Sequence, residues 1–117
     1  MGDYVIIAPC YNEELVIAKF LNQLEQKLIN TNACFEVVIV NDSSVDTTAD
    51  ILDSFEFSSE NFQLHHILLD YNMGHQEAIR QGLQYTTGIL SKDIKGVIVM
   101  DSDGEDDPDA IRLLLKI

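Results

Sequence analysis

Six carboxylates stand within nine residues, Asp101-Ser102-Asp103-Gly104-Glu105-Asp106-Asp107-Pro108-Asp109, directly after the apolar run Gly96-Val97-Ile98-Val99-Met100. No Lys or Arg lies among them. Like charges this close raise one another's pKa values unless a cation sits between them, and a divalent metal is the economical choice. If the apolar run is a strand, residues two apart share a face, so Asp101 and Asp103 aim at one point as the strand ends. Hard oxygen ligands suit Mg2+ or Mn2+, and Mg2+ usually takes one or two protein carboxylates and fills its shell with water and substrate phosphate. A merely solvated acidic loop is the other reading of this stretch. Part of it also has structural work to do, because Asp107 fits a helix N-cap, Pro108 the first helical position and Asp109 the favourable first turn.

The elements that must position these residues follow from the pattern before them. Short β-branched runs alternate with helical patterns, which is the signature of βαβ units and a parallel sheet. Strands are predicted at residues 4–8, 35–40, 64–69 and 96–100. The third is interrupted by His65 and His66, which point to opposite faces, cannot share a metal and are read as structural. The first helix keeps Ile17, Phe20, Leu21, Leu24 and Leu28 on one face, with Asn12 as its N-cap and Glu13 and Glu14 in its first turn. A second, at residues 47–55, turns Ile51, Leu52 and Phe55 inward behind a Ser44 or Asp46 cap. A third, at residues 75–86, carries Ala78, Ile79, Gly82 and Leu83, and a fourth begins at Pro108 with Ile111, Leu114 and Leu115. In an open parallel sheet, ligands bind outside the carboxyl ends of the strands. The polar motifs gather there: Pro9-Cys10-Tyr11-Asn12-Glu13, Asn41-Asp42-Ser43-Ser44, Asp70-Tyr71-Asn72-Met73-Gly74-His75 and Asp101-Ser102-Asp103.

With 117 residues, 46% of them hydrophobic, the chain reads as one globular domain. A formal charge of −13 with only seven Lys and Arg argues against nucleic acid or an anionic membrane surface as partner. Phosphate has to be reached through a metal or through backbone amides. Cys10 and Cys34 lack metal-ligand spacing and read as buried thiols of a reducing compartment. The apolar runs fall far short of the ~20 residues of a membrane span. The N-terminus lacks the basic lead of a signal peptide, and Ile6 stands where a myristoylation signal has Ser or Thr. The segment is therefore expected to be cytoplasmic. No Gly-x-Gly-x-x-Gly follows the first strand, which disfavours a dinucleotide oxidoreductase. Pro9-Cys10-Tyr11-Asn12 stands where a phospho-acceptor signalling domain has its acidic pair.

Four blocks carry a resemblance. Val5-Ile6-Ile7-Ala8-Pro9-Cys10-Tyr11-Asn12-Glu13, Val38-Ile39-Val40-Asn41-Asp42-Ser43-Ser44-Val45-Asp46-Thr47-Thr48, Asn72-Met73-Gly74-His75-Gln76-Glu77-Ala78-Ile79-Arg80-Gln81-Gly82 and Val99-Met100-Asp101-Ser102-Asp103 resemble, in order, the sequence blocks of family 2 glycosyltransferases of the GT-A fold. That group includes dolichyl-phosphate mannose synthases and bacterial polyprenyl-phosphate sugar transferases. The resemblance implies an α/β, Rossmann-like, open and mainly parallel sheet with flanking helices. It also implies a nucleotide-diphosphate sugar as donor and a polyprenyl phosphate or glycan as acceptor. Pro9, Tyr11 and Glu13 would line the base and ribose, Asp42 would accept a hydrogen bond from the base, Gly74 and Ser102 would complete the nucleotide site, and Asp101 and Asp103 would hold Mg2+ or Mn2+. Glu105 and Asp106 are candidates to reach the donor sugar or the acceptor.

On the residues alone other uses stay open: Tyr11 packing at the helix start, Glu13 serving the helix dipole, Asp42 closing its turn, and His75 either donating to a phosphate or standing at a helix start without a ligand. Two departures from the family stand out. Asn41 and Ser43 replace the usual Asp and Gly, and the sequence stops at Ile117, whereas the family continues. The acceptor site and the general base are thus expected beyond Ile117, and residues 1–117 are expected to be the donor-binding N-terminal part, truncated and inactive alone. Self-association through an exposed strand edge is a further expectation, as is membrane association of a full-length protein at the cytoplasmic face. The rival reading is a non-catalytic nucleotide-binding or assembly module of the same fold.

Overall fold

The computed structural model describes residues 3–89 and 94–102. Among them lie four strands, β1 (Tyr4–Cys10), β2 (Phe35–Asn41), β3 (Phe62–Leu68) and β4 (Gly96–Val99), and three α-helices, α1 (Ile17–Leu28), α2 (Thr48–Ser54) and α3 (His75–Ile89). All the strand pairs are parallel, in the order β3-β2-β1-β4. The chain steps outward from β1 to β3 and then returns across β1 to lay β4 on its far side. Strand order therefore reverses between β1 and β4, the place where an open α/β sheet leaves a crevice at its carboxyl edge.

The two central strands are apolar on both faces because both faces are covered. Every residue of β2 is buried, as are Val5 to Cys10 of β1. On one face Ile17, Phe20, Leu21, Leu24 and Leu28 of α1 and Leu52 of α2 pack with Ile6, Ala8, Val37 and Ile39. On the other, Ala78 of α3 packs with Val5, Ile7, Val38 and Val40. At the amino edge the register partners Tyr4, Phe35 and Phe62 stack, with ring centroids 5.9 and 5.2 Å apart, and tie three strands together.

Several sequence expectations are corrected in detail. Asn12 does not cap α1: it has φ 52°, its Oδ1 accepts from the Val45 amide at 2.8 Å, and the helix starts only at Ile17 after a turn in which Glu13 O accepts from the Val16 and Ile17 amides. Glu13 and Glu14 accordingly precede the helix. Of the two candidate caps for α2, Asp46 is the one engaged, accepting from the Thr48 amide at 2.9 Å, while Thr47 occupies the N-cap position. Leu83 is 39% exposed rather than inward, because Ala78 and Gly82 let α3 sit close on the sheet and turn Leu83 to its flank. The third strand begins two residues earlier than expected, at Phe62, whose ring joins the aromatic stack. Glu25 is buried on α1, where its carboxylate accepts the Ser58 and Ser59 amides and pins the polar loop before β3. The fourth predicted helix and its acidic cap at Asp107, Pro108 and Asp109 lie outside the described residues. None of the described helices is long and apolar enough to cross a membrane.

Candidate functional site

The carboxyl ends of the strands meet around a cavity of about 380 Å³ lined by Pro9, Cys10, Tyr11, Glu13, Asp42, Asn72, Gly74, His75, Asp101 and Ser102. Seven of the residues singled out from sequence, Pro9, Tyr11, Glu13, Asp42, Gly74, Asp101 and Ser102, come together there from the carboxyl ends of all four described strands. Asp103 lies outside the described residues, as do Glu105 and Asp106.

Backbone pairing continues past the strand ends and sets the rim. The Asp42 amide donates to Cys10 O at 2.9 Å, the Leu69 amide to Asn41 O at 3.0 Å and the Met100 amide to Ile7 O at 3.0 Å. Ser102, 1% exposed, donates its hydroxyl to Pro9 O at 3.0 Å and closes the β1–β4 side of the crevice. Asp42, 5% exposed, accepts the Met73 amide on Oδ1 at 2.7 Å and the Gly74 amide on Oδ2 at 3.0 Å. It thereby holds the loop leading into α3. Each carboxylate oxygen has a second lone pair, so Asp42 retains acceptor capacity toward the cavity. Gly74 has φ 94°, a conformation L side chains rarely adopt, and its amide serves Asp42.

Loops from two junctions are laced to one another. Ser44 Oγ accepts the Asn12 amide at 2.9 Å, Thr48 Oγ1 accepts the Glu13 amide at 2.9 Å, and Thr47 donates its amide and its hydroxyl to Glu14 Oε1 at 2.9 and 2.7 Å. Tyr11 stays 47% exposed at the mouth. Ser43 holds φ 62° without being glycine, and a left-handed conformation costs an L residue roughly 1–2 kcal/mol. Ser43→Gly should therefore raise stability by about 0.5–1 kcal/mol once the greater flexibility of unfolded glycine is subtracted. Urea denaturation reads this directly, and a lowered midpoint would show that the Ser43 side chain stabilises the turn.

The described lining carries three carboxylates, Glu13, Asp42 and Asp101, and a single imidazole. His75 Nε2 stands 3.4 Å from Asp101 Oδ1, both side chains part-exposed. An anionic ligand entering here meets negative potential unless a cation accompanies it. The same field acts on Cys10, which the sequence reading placed beside a strand but not in the site. Burial, followed by Glu13, Asp46 and Asp42, pushes its thiol up from 9.0 to about 12. The folded protein keeps Cys10 protonated, so this contribution to stability is complete below pH 9.0 and is lost as pH rises toward 12. Iodoacetamide at pH 8 should modify half-buried Cys34 well before Cys10, as followed by peptide mass spectrometry. Equal labelling would contradict the burial argument.

Asn72 was also missed as a site residue, although it opens one of the four sequence blocks. Its Nδ2 donates to Asp42 O at 3.3 Å. His65 and His66 point to opposite faces as expected, His65 to Glu36 and Tyr85, His66 to Asp53 and Asn41.

Known proteins share this fold. The family model described as glycosyl transferase family 2 matches residues 5–117. An uncharacterized glycosyltransferase, YkcC of Bacillus subtilis, is 33% identical over 97% of this chain and 32% of its own length. An undecaprenyl-phosphate 4-deoxy-4-formamido-L-arabinose transferase of Pseudomonas aeruginosa is 28% identical over 95% of this chain and 31% of its own. Among solved structures, S. aureus TarS 1-349 in complex with UDP superposes with a TM-score of 0.72 at 25% identity, covering 97% of this chain and 31% of that one. The same protein in complex with UDP-GlcNAc gives a TM-score of 0.72. The chain thus spans about a third of the length of the relatives it matches.

Proposed function

Because this chain belongs to glycosyl transferase family 2, we propose that residues 1–117 form the donor-binding part of a transferase that moves a sugar from a nucleotide diphosphate to a lipid-phosphate or glycan acceptor. The observation that carries the reading is the convergence of Pro9, Tyr11, Glu13, Asp42, Asp101 and Ser102 on one crevice at the point where strand order reverses. UDP is the first nucleotide to consider, since TarS has been crystallised with UDP and UDP-GlcNAc. A polyprenyl phosphate is the first acceptor, by similarity to the undecaprenyl-phosphate transferase.

In this reading Pro9 and Tyr11 flank the base, Asp42 accepts from it with the lone pairs left by Met73 and Gly74, and Glu13 faces the ribose. Asp101, with Asp103 two residues on, would hold Mg2+ or Mn2+ beside the diphosphate. Asp101 suits that role as a hard oxygen donor on the crevice lining. The ion would then take one or two carboxylates and draw its other ligands from water and phosphate. Bound there, it would offset the charge developing on the departing nucleotide diphosphate. In this reading the acceptor site and general base would lie in the part of the relatives' length that this chain does not span, and the chain alone would bind donor without turnover. A purely assembling module is the second reading, favoured by the exposed Val97 and Val99 on β4 and by Leu68 on β3, the outer strands of the sheet among the described residues.

Calorimetric titration with UDP and with GDP separates the two. The transferase reading expects one nucleotide to bind only with Mn2+ present, at least tenfold more weakly in Asp101→Asn. Absence of binding by either nucleotide, with or without metal, would remove the donor-site reading and leave the assembling module.

A further inference from the structure

His66 lies on β3, outside the crevice lining, yet its hydrogen bonds run directly into the turn that carries Asp42. The Ser44 amide donates to Asn41 Oδ1 at 3.0 Å. That contact fixes the Asn41 side chain, because a backbone N–H can only donate and must face the amide oxygen. The NH2 end of Asn41, which is fully buried, is then turned to His66 Nε2 at 3.3 Å. An NH2 group offers only donors, so Nε2 must present its lone pair. On the opposite side of the ring Nδ1 stands 2.8 Å from Asp53 Oδ1, an acceptor, and carries the proton. One protonation state satisfies every member of the series: neutral imidazole with hydrogen on Nδ1.

The series continues to the crevice. Ser43, at φ 62°, sits between Asp42 and Ser44 in a conformation that a serine holds only under constraint. The Asn41 contact to the Ser44 amide spans that residue. Beyond it Ser44 Oγ accepts the Asn12 amide and Asn12 Oδ1 accepts the Val45 amide, fixing the stretch between Tyr11 and Glu13. A ring on the third strand is thus connected, through one buried amide, to both loops that flank the proposed base site.

We propose that His66, as the neutral Nδ1–H tautomer, is a positioning residue for the nucleotide-binding turn, holding the Asn41 amide so that it clamps Ser44 and aligns Asp42 with the loop bearing Tyr11. The inference rests on the donor-site reading for its ligand but not for its geometry. Asp53 is 71% exposed and only orients the ring, whereas the acceptor at Nε2 is the essential atom. His66→Gln keeps an acceptor near the Nε2 position and gives up the contact to Asp53. His66→Asn keeps a donor near Nδ1 and gives up the acceptor.

The test uses this chain with UDP and Mn2+ as probe, in wild type and both variants, together with amide exchange at Ser44 by NMR. His66→Asn should weaken UDP binding about tenfold and speed Ser44 exchange by a similar factor, the loss of roughly one hydrogen bond. His66→Gln should stay within about threefold of wild type on both counts, a rescue that a merely structural ring would not show. Nitrogen-15 shifts of the wild-type ring give the tautomer without any variant, and hydrogen on Nε2 would overturn the inference outright. So would unchanged Ser44 exchange in His66→Asn, or equal loss in both variants. If wild type binds no UDP while His66→Asn still releases Ser44, the donor reading fails and the positioning of the turn stands.

Discussion

Asp42→Ala should abolish measurable UDP binding and lower the stability of the chain by about 3 kcal/mol, since hydrogen bonds to a carboxylate are worth about 1.5–3 kcal/mol each and two are lost. Both oxygens serve the same loop, accepting Met73 at 2.7 Å and Gly74 at 3.0 Å. Alanine leaves two adjacent amides without an acceptor in a part-buried position and frees the entry to α3. The estimate is set toward the low end because the crevice admits water, which can replace part of what is lost. Asp42→Asn retains one acceptor but turns an NH2 toward the other amide, so it should fall between. For a domain of this size the alanine variant should melt roughly 10 °C lower, and its UDP titration, run below that temperature, should be flat. A variant that melts with wild type would mean that the loop before α3 is held by something other than Asp42.

The part of this molecule that could be read from sequence is the part written in periodic patterns. Buried strands such as Val37-Val38-Ile39-Val40 and the α1 face of Ile17, Phe20, Leu21, Leu24 and Leu28 declare themselves, because burial on a regular element repeats with the element's period. The gathering of polar motifs at strand ends follows from the same order, since a parallel sheet brings all its carboxyl ends to one edge. What escaped is hydrogen bonding between residues far apart in sequence. Asn12 reads locally as an N-cap, but Val45 and Ser44, more than thirty positions away, claim its side chain and amide. The histidines looked like interruptions of β3. They are tolerated because Glu36, Tyr85, Asp53 and Asn41 meet them from neighbouring elements. No pattern marks Glu25 as buried, and it is held on α1 by accepting the Ser58 and Ser59 amides. No period encodes such pairings, and each depends on the register of the sheet.

Gly82 was expected only to belong to the inner face of α3, and its consequence is sharper than that. A Cβ added there would stand 2.7 Å from Ile7 Cγ2 and 3.0 Å from Val40 Cγ2. Both methyls branch from the Cβ of fully buried residues on central strands, where χ1 has little freedom to move aside. Gly82→Ala must therefore lift α3 from the sheet or force side chains off their rotamers, at a cost of about 1–3 kcal/mol for overpacking. Clashes this close with stiff side chains call for the top of that range or beyond, while the better helix propensity of alanine returns about 1 kcal/mol. The expected net effect is a loss of about 2 kcal/mol. Gly88, on the same helix with no atom of the described residues within 4 Å of its added Cβ, is the matched control and should gain up to about 0.5–1 kcal/mol. Denaturant midpoints of the two variants should thus move in opposite directions. Because α3 begins at His75, next to the loop that Asp42 holds, a lifted helix should also weaken UDP binding in Gly82→Ala and leave it intact in Gly88→Ala. Two alanines that both stabilise would mean that α3 rides farther from β1 and β2 in solution, and the crevice wall it supplies would have to be redrawn with it.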